Sequence, residues 1–181
     1  MPTKLVNTKK LITATLFGIL IGAVYGVLPF EIGDSLIVFE AVILSLSFIL
    51  LGPGGATYTG LINGLVETPM QLAFGPFSFA VALFYGVLVD VFSMLFKVVA
   101  DDKVHAKRLV ASLSVSTVIT GLSATYAFIA LGFGTTAPFL EVYLPVLIVG
   151  AVSGTAGGFL ATRIWDRNLS SWFKSVQAPA V

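Results

Sequence analysis

The chain is 181 residues long, with 57% hydrophobic residues, 10% charged residues and a mean hydropathy of +1.00. Soluble domains are roughly a quarter charged, so this composition excludes a water-soluble globular protein and points to an integral membrane protein. The absence of cysteine removes disulfides, thiolate metal sites and cysteine nucleophiles.

At about 20 residues per crossing, the length accommodates roughly six spans and little else. The apolar runs place them near 11–29, 35–52, 54–72, 76–97, 109–132 and 141–164, joined by short connections. The expected fold class is an all-α integral membrane protein. Residues 1–164 form a single domain, a compact bundle of six transmembrane helices, and 165–181 a cytoplasmic interfacial helix and tail.

Span one follows Lys9 and Lys10, as a signal peptide would. Its apolar run is long for such a segment, and "VLPFEIGDS" offers no small-x-small cleavage site, so the span is expected to be retained. Ala14, Gly18, Gly22 and Gly26 recur at intervals of four and share one stripe of the helix. Small side chains let a second backbone approach closely. The stripe serves either packing within the bundle or docking of a separate membrane subunit.

Span two carries Glu40 near its outer end. A charged side chain at a helix centre costs roughly 2.5 to 3.5 kcal/mol on insertion scales, so it usually faces a cavity or a partner. No basic residue lies near Glu40 in the sequence, which favours a ligand or partner role.

Span three, "LLGPGGATYTGLINGLVETP", is rich in residues that break helices. Proline at a helix start is harmless because its missing N–H would have no intrahelical acceptor. If Pro53 and Gly54 open the helix at the cytoplasmic face, Asn63 and Glu67 stand one turn apart near the outer end. Gly54, Gly55, Gly60 and Gly64 let this helix sit deep between neighbours. Glu40, Asn63, Glu67, Gln71, Tyr126 and Tyr143 are then expected to line a pocket opening outward. The plain alternative is a tightly packed helix with Glu67 capping the outer surface. Should the segment not cross, the count falls to four, with a re-entrant pair covered by protein or water.

Asp90 lies in the inner half of span four, where it either faces a cavity or partner or pairs structurally with Lys97, two turns away on the same face. In span six Gly150, Gly154 and Gly158 repeat the small-residue stripe, with Ala151 and Gly157 beside it, giving more close-packing surface than one bundle needs. Beyond it, Trp165, Leu169, Trp172, Phe173 and Val176 fall at helical spacing and are expected to lie along the cytoplasmic leaflet.

The basic residues decide orientation. Lys4, Lys9 and Lys10 precede span one, Lys97, Lys103, Lys107 and Arg108 lie between spans four and five, and Arg163, Arg167 and Lys174 follow span six. With six crossings all of them fall on one side, while the opposite connections carry Glu31, Asp34, Glu67 and Glu141. The positive-inside rule then puts both termini in the cytoplasm, with the protein multi-pass in the cell membrane. Topology accounts for the positive charge, and nothing suggests nucleic-acid binding.

Catalysis has little behind it. Intramembrane hydrolases need a Ser–His pair, paired aspartates or several histidines, whereas His105 sits in a charged loop and Glu40 and Asp90 lie at different depths. The chain has no G-x-x-x-x-G-K-[ST] phosphate loop and cannot hydrolyse ATP alone. Neither a cofactor nor a metal is expected.

The "PG" start at Pro53-Gly54, the small residues after it and the ending Leu65-Val66-Glu67 resemble the substrate-binding S components of energy-coupling factor (ECF) transporters, nearest the hydroxymethylpyrimidine and thiamin-type branch. The final span, "VSGTAGGFLATRIWDRNL", is similar to that branch's last helix. The Ala14–Gly26 stripe looks like the one by which S components dock on a transmembrane coupling subunit. The likeness covers the layout of the whole chain. It departs at Gly60, where a second acidic residue is expected, and at Gly150, where an arginine is expected. The resemblance implies energy-dependent uptake of a vitamin or vitamin precursor, captured at the outer face, with a coupling subunit and two ATPase subunits as partners. It carries Glu67 over to the substrate site. If the ligand is an aminopyrimidine, Glu67 or Glu40 is placed to accept from its amino group while Tyr or Phe rings stack on it. The rival is a non-catalytic accessory or structural subunit of a larger membrane complex; an independent channel or carrier is a third possibility.

Overall fold

The computed structural model of the chain describes residues 8–27, 33–70, 75–100, 103–132 and 139–170. These form six α-helices: α1 Thr8–Val27, α2 Gly33–Leu51, α3 Gly55–Glu67, α4 Gly75–Leu95, α5 Ala106–Ala130 and α6 Phe139–Ile164. A short antiparallel hairpin, β1 Val99–Ala100 with β2 Lys103–Val104, lies in the α4–α5 connection. Among the described residues three segments are long and apolar enough to cross a membrane: Gly75–Leu95, Ala106–Ala130 and Glu141–Leu169. α1 and α2 contribute shorter apolar stretches, Leu11–Tyr25 and Leu36–Leu51.

α3 is shorter than the expected span 54–72. Its 13 residues extend about 20 Å at 1.5 Å per residue, less than the roughly 30 Å of a bilayer's hydrocarbon core. The flanking chemistry explains the limits. Gly52 and Gly54 hold φ of +86° and +90°, a left-handed backbone that glycine adopts without steric cost, so the chain turns there before the helix begins. At the other end the Thr68 hydroxyl bonds the carbonyls of Gly64 (2.6 Å) and Gly75 (3.1 Å), tying the end of α3 to the start of α4.

α1 packs on α3, α3 on α4, α4 on α5 and α5 on α6, while α2 touches all five. Residues 41–50 of α2 are all buried. A helix enclosed on every side needs no polar face, which is why this stretch is so nearly continuous in aliphatic residues. Val89, Val98, Leu109, Leu113 and Ala161 complete the core around it. The outside is apolar as well: Ile12 and Leu16 on α1, Val91 and Leu95 on α4, and Ile148, Val152 and Phe159 on α6 are exposed. So extensive an apolar surface suits acyl chains.

In lipid, helices gain little from burying aliphatic groups and associate through close packing and polar contacts. Here α5 and α6 meet backbone to backbone. A β-carbon added at Gly150, Gly154 or Gly158 would come within 3.1, 2.5 and 2.7 Å of the Cα atoms of Val118, Ser114 and Val110. Gly157 faces Ala41 of α2 instead. α3 and α4 cross at Gly60 and Gly86, where an added β-carbon would lie 2.6 Å from the carbonyls of Ala82 and Ala56 respectively. On α1, Gly18 and Gly22 press on Ile62 and Val66 of α3, at 2.7 Å each from an added β-carbon. Ala14 is fully buried beside them, and Gly26 follows in the last turn of α1. Of the two uses expected of the α1 stripe, packing within the bundle is the one seen at Gly18 and Gly22, against α3, and the span-six glycines likewise pack within the chain.

Asp90 also differs from expectation. Its Oδ1 accepts from the Ala56 N–H (3.2 Å), and its Oδ2 accepts from the Thr57 N–H (2.8 Å) and the Thr57 hydroxyl (2.6 Å). A carboxylate on α4 therefore caps the first turn of α3, satisfying orphan donors and complementing the helix dipole. Lys97 is exposed with φ +52°, and its carbonyl accepts from Arg108 Nη1 (3.1 Å). Trp165–Leu169 continues α6 as a π-helical turn, and Trp165 and Leu169, partly buried, pack against the core. Trp172, Phe173 and Val176 lie outside the described residues.

Candidate functional site

The apolar half of α2 fills one end of the bundle and leaves the other open. Where α1 leads to α2, α3 to α4 and α5 to α6, the helices surround a cavity of about 590 Å³. Its walls include Ala82, Gly121, Ala124 and Gly150, residues too small to fill it. Ligand pockets are commonly about 300–1,000 Å³, so the space suits a small molecule.

Two carboxylates line this cavity. Glu40 comes from α2 and Glu67 from α3, at 8% and 7% exposure. Glu40 Oε1 accepts from Asn63 Nδ2 (3.1 Å), and Oε2 accepts from the Tyr25 hydroxyl (3.2 Å). Glu67 is hydrogen-bonded by Ser78 and lies close enough to Glu40 for its charge to bear on that carboxyl group. Among the described residues no Lys, Arg or His lines the cavity. Among the described residues no trio of His, Asp or Glu side chains gathers to hold a metal. The site's charge is therefore that of its carboxylates, which accept hydrogen bonds and attract positive charge when ionised.

Neutral groups complete the wall. The Thr117 hydroxyl donates to the Leu113 carbonyl (2.8 Å), which leaves it to accept from the Tyr85 hydroxyl (2.7 Å). Phe77 and Phe128 form an aromatic corner, their ring centroids 6.0 Å apart and inclined at 54°. Thr120 lines the cavity too, and its buried Oγ1 has no hydrogen-bond partner among the described residues. Leaving such a group unpaired costs roughly 1–3 kcal/mol.

The structure brings Glu40, Asn63 and Glu67 together as the sequence suggests. Asn63, 1% exposed, stands behind Glu40 rather than in the wall. Gln71 lies outside the described residues. Tyr126 is corrected: it is 68% exposed on the outer face of α5, and Ala124, Thr125 and Phe128 line the cavity from that helix. Tyr143 is likewise not a lining residue; Pro145, Val146, Val149 and Gly150 supply the α6 wall. Each residue of a helix is rotated by about 100° from the last, so neighbouring positions face different ways. The groups that sequence reasoning missed are Tyr25, Ser78, Tyr85, Thr117 and Thr120. A signal was present on α5, where Ser116, Thr117, Thr120, Ala124 and Phe128 follow helical spacing. The two departures from the resembled pattern also have places here. Gly60 sits at the α3–α4 crossing, where no side chain fits, and Gly150 forms part of the wall.

Comparison of the chain with family models, with curated proteins and with solved structures gives no match.

Proposed function

We propose that this chain is the substrate-binding subunit, or S component, of an ECF-type importer for a vitamin or vitamin precursor, and that the Glu40–Glu67 cavity holds the solute. One observation carries the reading: a vitamin-sized cavity with buried carboxylates from adjacent helices, at the end of the bundle away from Lys97, Lys107, Arg108 and Arg163. On this reading all six helices belong to the membrane, with α3 enclosed by its neighbours where it falls short. The basic end and both termini face the cytoplasm, so the cavity faces outward from a multi-pass protein of the cell membrane. The solute is captured there. It is carried inward when paired ATPase subunits act through a coupling subunit, as the resemblance implies. The chain's own part is binding, without catalysis. Its small-residue stripes, which suit an accessory subunit equally well, are used up in internal packing, and the cavity is the feature that calls for an occupant.

The test is a thermal-shift screen of the purified protein in detergent against hydroxymethylpyrimidine, thiamin, riboflavin, biotin and divalent metals. A ligand at about 100 times its dissociation constant adds roughly 2.7 kcal/mol of stability. A saturable shift that disappears in Glu67→Ala supports the proposal. No shift across the panel, with constant co-purification of an enzyme complex, would favour the accessory subunit.

A further inference from the structure

The buried hydroxyls of α5 follow a rule with one exception. Ser112 Oγ pairs with Ser93 Oγ on α4 (3.0 Å), Ser116 Oγ donates to the Ser112 carbonyl (2.8 Å), and Thr117 Oγ1 donates to the Leu113 carbonyl (2.8 Å). Bonding back to the preceding turn is the ordinary recourse of a helical Ser or Thr. Thr120 does not take it. This residue is 8% exposed and lines the cavity, and its Oγ1 has no partner among the described residues. The Oγ1 itself is turned into the wall, but a helical Thr has two accessible χ1 rotamers, and a rotation would bring this unused hydroxyl to whatever enters the space.

The rest of the wall limits what that occupant can be. Glu67 comes from α3, which α4 separates from α5, so Thr120 meets a ligand at a different edge from Glu67. The carboxylates have oxygen lone pairs to offer, and among the described residues no basic side chain lines the cavity. A phosphate or carboxylate group brought here would be desolvated beside acidic side chains, with no counter-charge for it among the described residues. A ligand bearing N–H groups would meet acceptors already held in place by Tyr25, Asn63 and Ser78.

We infer that the cavity takes a neutral or cationic small molecule with an N–H group at its Glu40–Glu67 edge and a neutral hydrogen-bonding group at its Thr120 edge, and that it rejects phosphorylated or carboxylated molecules. Thr120 is thus a specificity-determining residue. The assignment rests on the binding reading proposed above and adds the ligand's charge and its second point of attachment.

Calorimetric titration tests it with hydroxymethylpyrimidine, thiamin, riboflavin, the phosphate esters of all three, and biotin as a carboxylate. The full chain is used as wild type, Thr120→Val and Thr120→Ser, with the melting temperature of each variant recorded. The binder is expected among the unphosphorylated, carboxylate-free probes, and its phosphate ester should not compete. Thr120→Val keeps the shape without the hydroxyl and should weaken binding about three- to tenfold, the worth of one neutral hydrogen bond; Thr120→Ser should retain it. Binding of biotin or of a phosphate ester would overturn the charge assignment while leaving the importer reading intact. Unchanged affinity in a folded Thr120→Val overturns the role of Thr120. If no probe binds, both the assignment and the importer reading fall.

Discussion

Replacing Asp90 with alanine should damage the fold and the cavity together, although Asp90 does not line the cavity. Its carboxylate holds donors from Ala56 and Thr57 at 2.6 to 3.2 Å, and those donors form the first turn of α3. The Thr57 hydroxyl can find another acceptor, but the two backbone N–H groups have no intrahelical one. Hydrogen bonds to a charged partner are worth about 1.5–3 kcal/mol each, and neighbouring losses are not fully additive, so Asp90→Ala should cost about 3–5 kcal/mol. For a chain of this size each kcal/mol moves the melting temperature by about 2–4 °C, which predicts a fall of about 6–20 °C in detergent, followed by circular dichroism. Asp90→Asn keeps one acceptor and should lose about half as much. Lys97→Ala should stay within about 0.5 kcal/mol of wild type, as surface changes usually do. Since α3 positions Asn63 and Glu67, Asp90→Ala should also weaken any ligand-induced melting shift. A melting temperature within about 2 °C of wild type for Asp90→Ala, or equal damage from Lys97→Ala, would refute the reasoning.

Gly22→Leu should destabilise the isolated chain, because an added β-carbon already lies 2.7 Å from Val66 Cβ; a stripe reserved for a separate subunit would leave the melting temperature of the isolated chain unchanged. Gly60→Ala should cost about 1–3 kcal/mol by overpacking, since the Ala82 carbonyl 2.6 Å away belongs to backbone that cannot yield without parting α3 from α4; thermal unfolding reads this directly. Tyr126→Ala should leave a ligand-induced shift untouched, because the side chain is 68% exposed and outside the cavity wall. A lost shift in a folded Tyr126→Ala would return that residue to the site.

The membrane class and the helical fold were legible because hydropathy is a property of whole segments, and the number of helices follows from where the apolar runs break. The Glu40, Asn63 and Glu67 grouping was legible for two reasons: spacing of four puts Asn63 and Glu67 on one face of α3, and a carboxylate in an apolar helix needs company. The destination of Asp90 was not. Its partners are main-chain N–H groups on a helix more than thirty residues away, and N–H groups leave no mark in sequence. The small-residue stripes were visible as stripes, but the sequence carries no sign of which neighbour covers them, so Gly18 and Gly22 were open to two uses. The aromatic side of the cavity was misassigned for a rotational reason. Tyr126 and Phe128 are two positions apart and face opposite ways, and only the packing of α5 against α4 and α6 fixes which one turns inward. Thr120 was legible in principle, as part of the small and polar stripe that runs along α5 to Phe128.

The central claim is that Glu40 and Glu67 line a binding site for one solute molecule. Equilibrium titration of the strongest hit from the vitamin panel against wild type, Glu40→Gln and Glu67→Gln tests it most directly. The account predicts one-to-one binding in the wild type and a loss of about tenfold or more in each variant, the worth of a hydrogen bond to a charged acceptor, with the variants still folded. Equal affinity in all three proteins, or no saturable binding in the wild type, would contradict it.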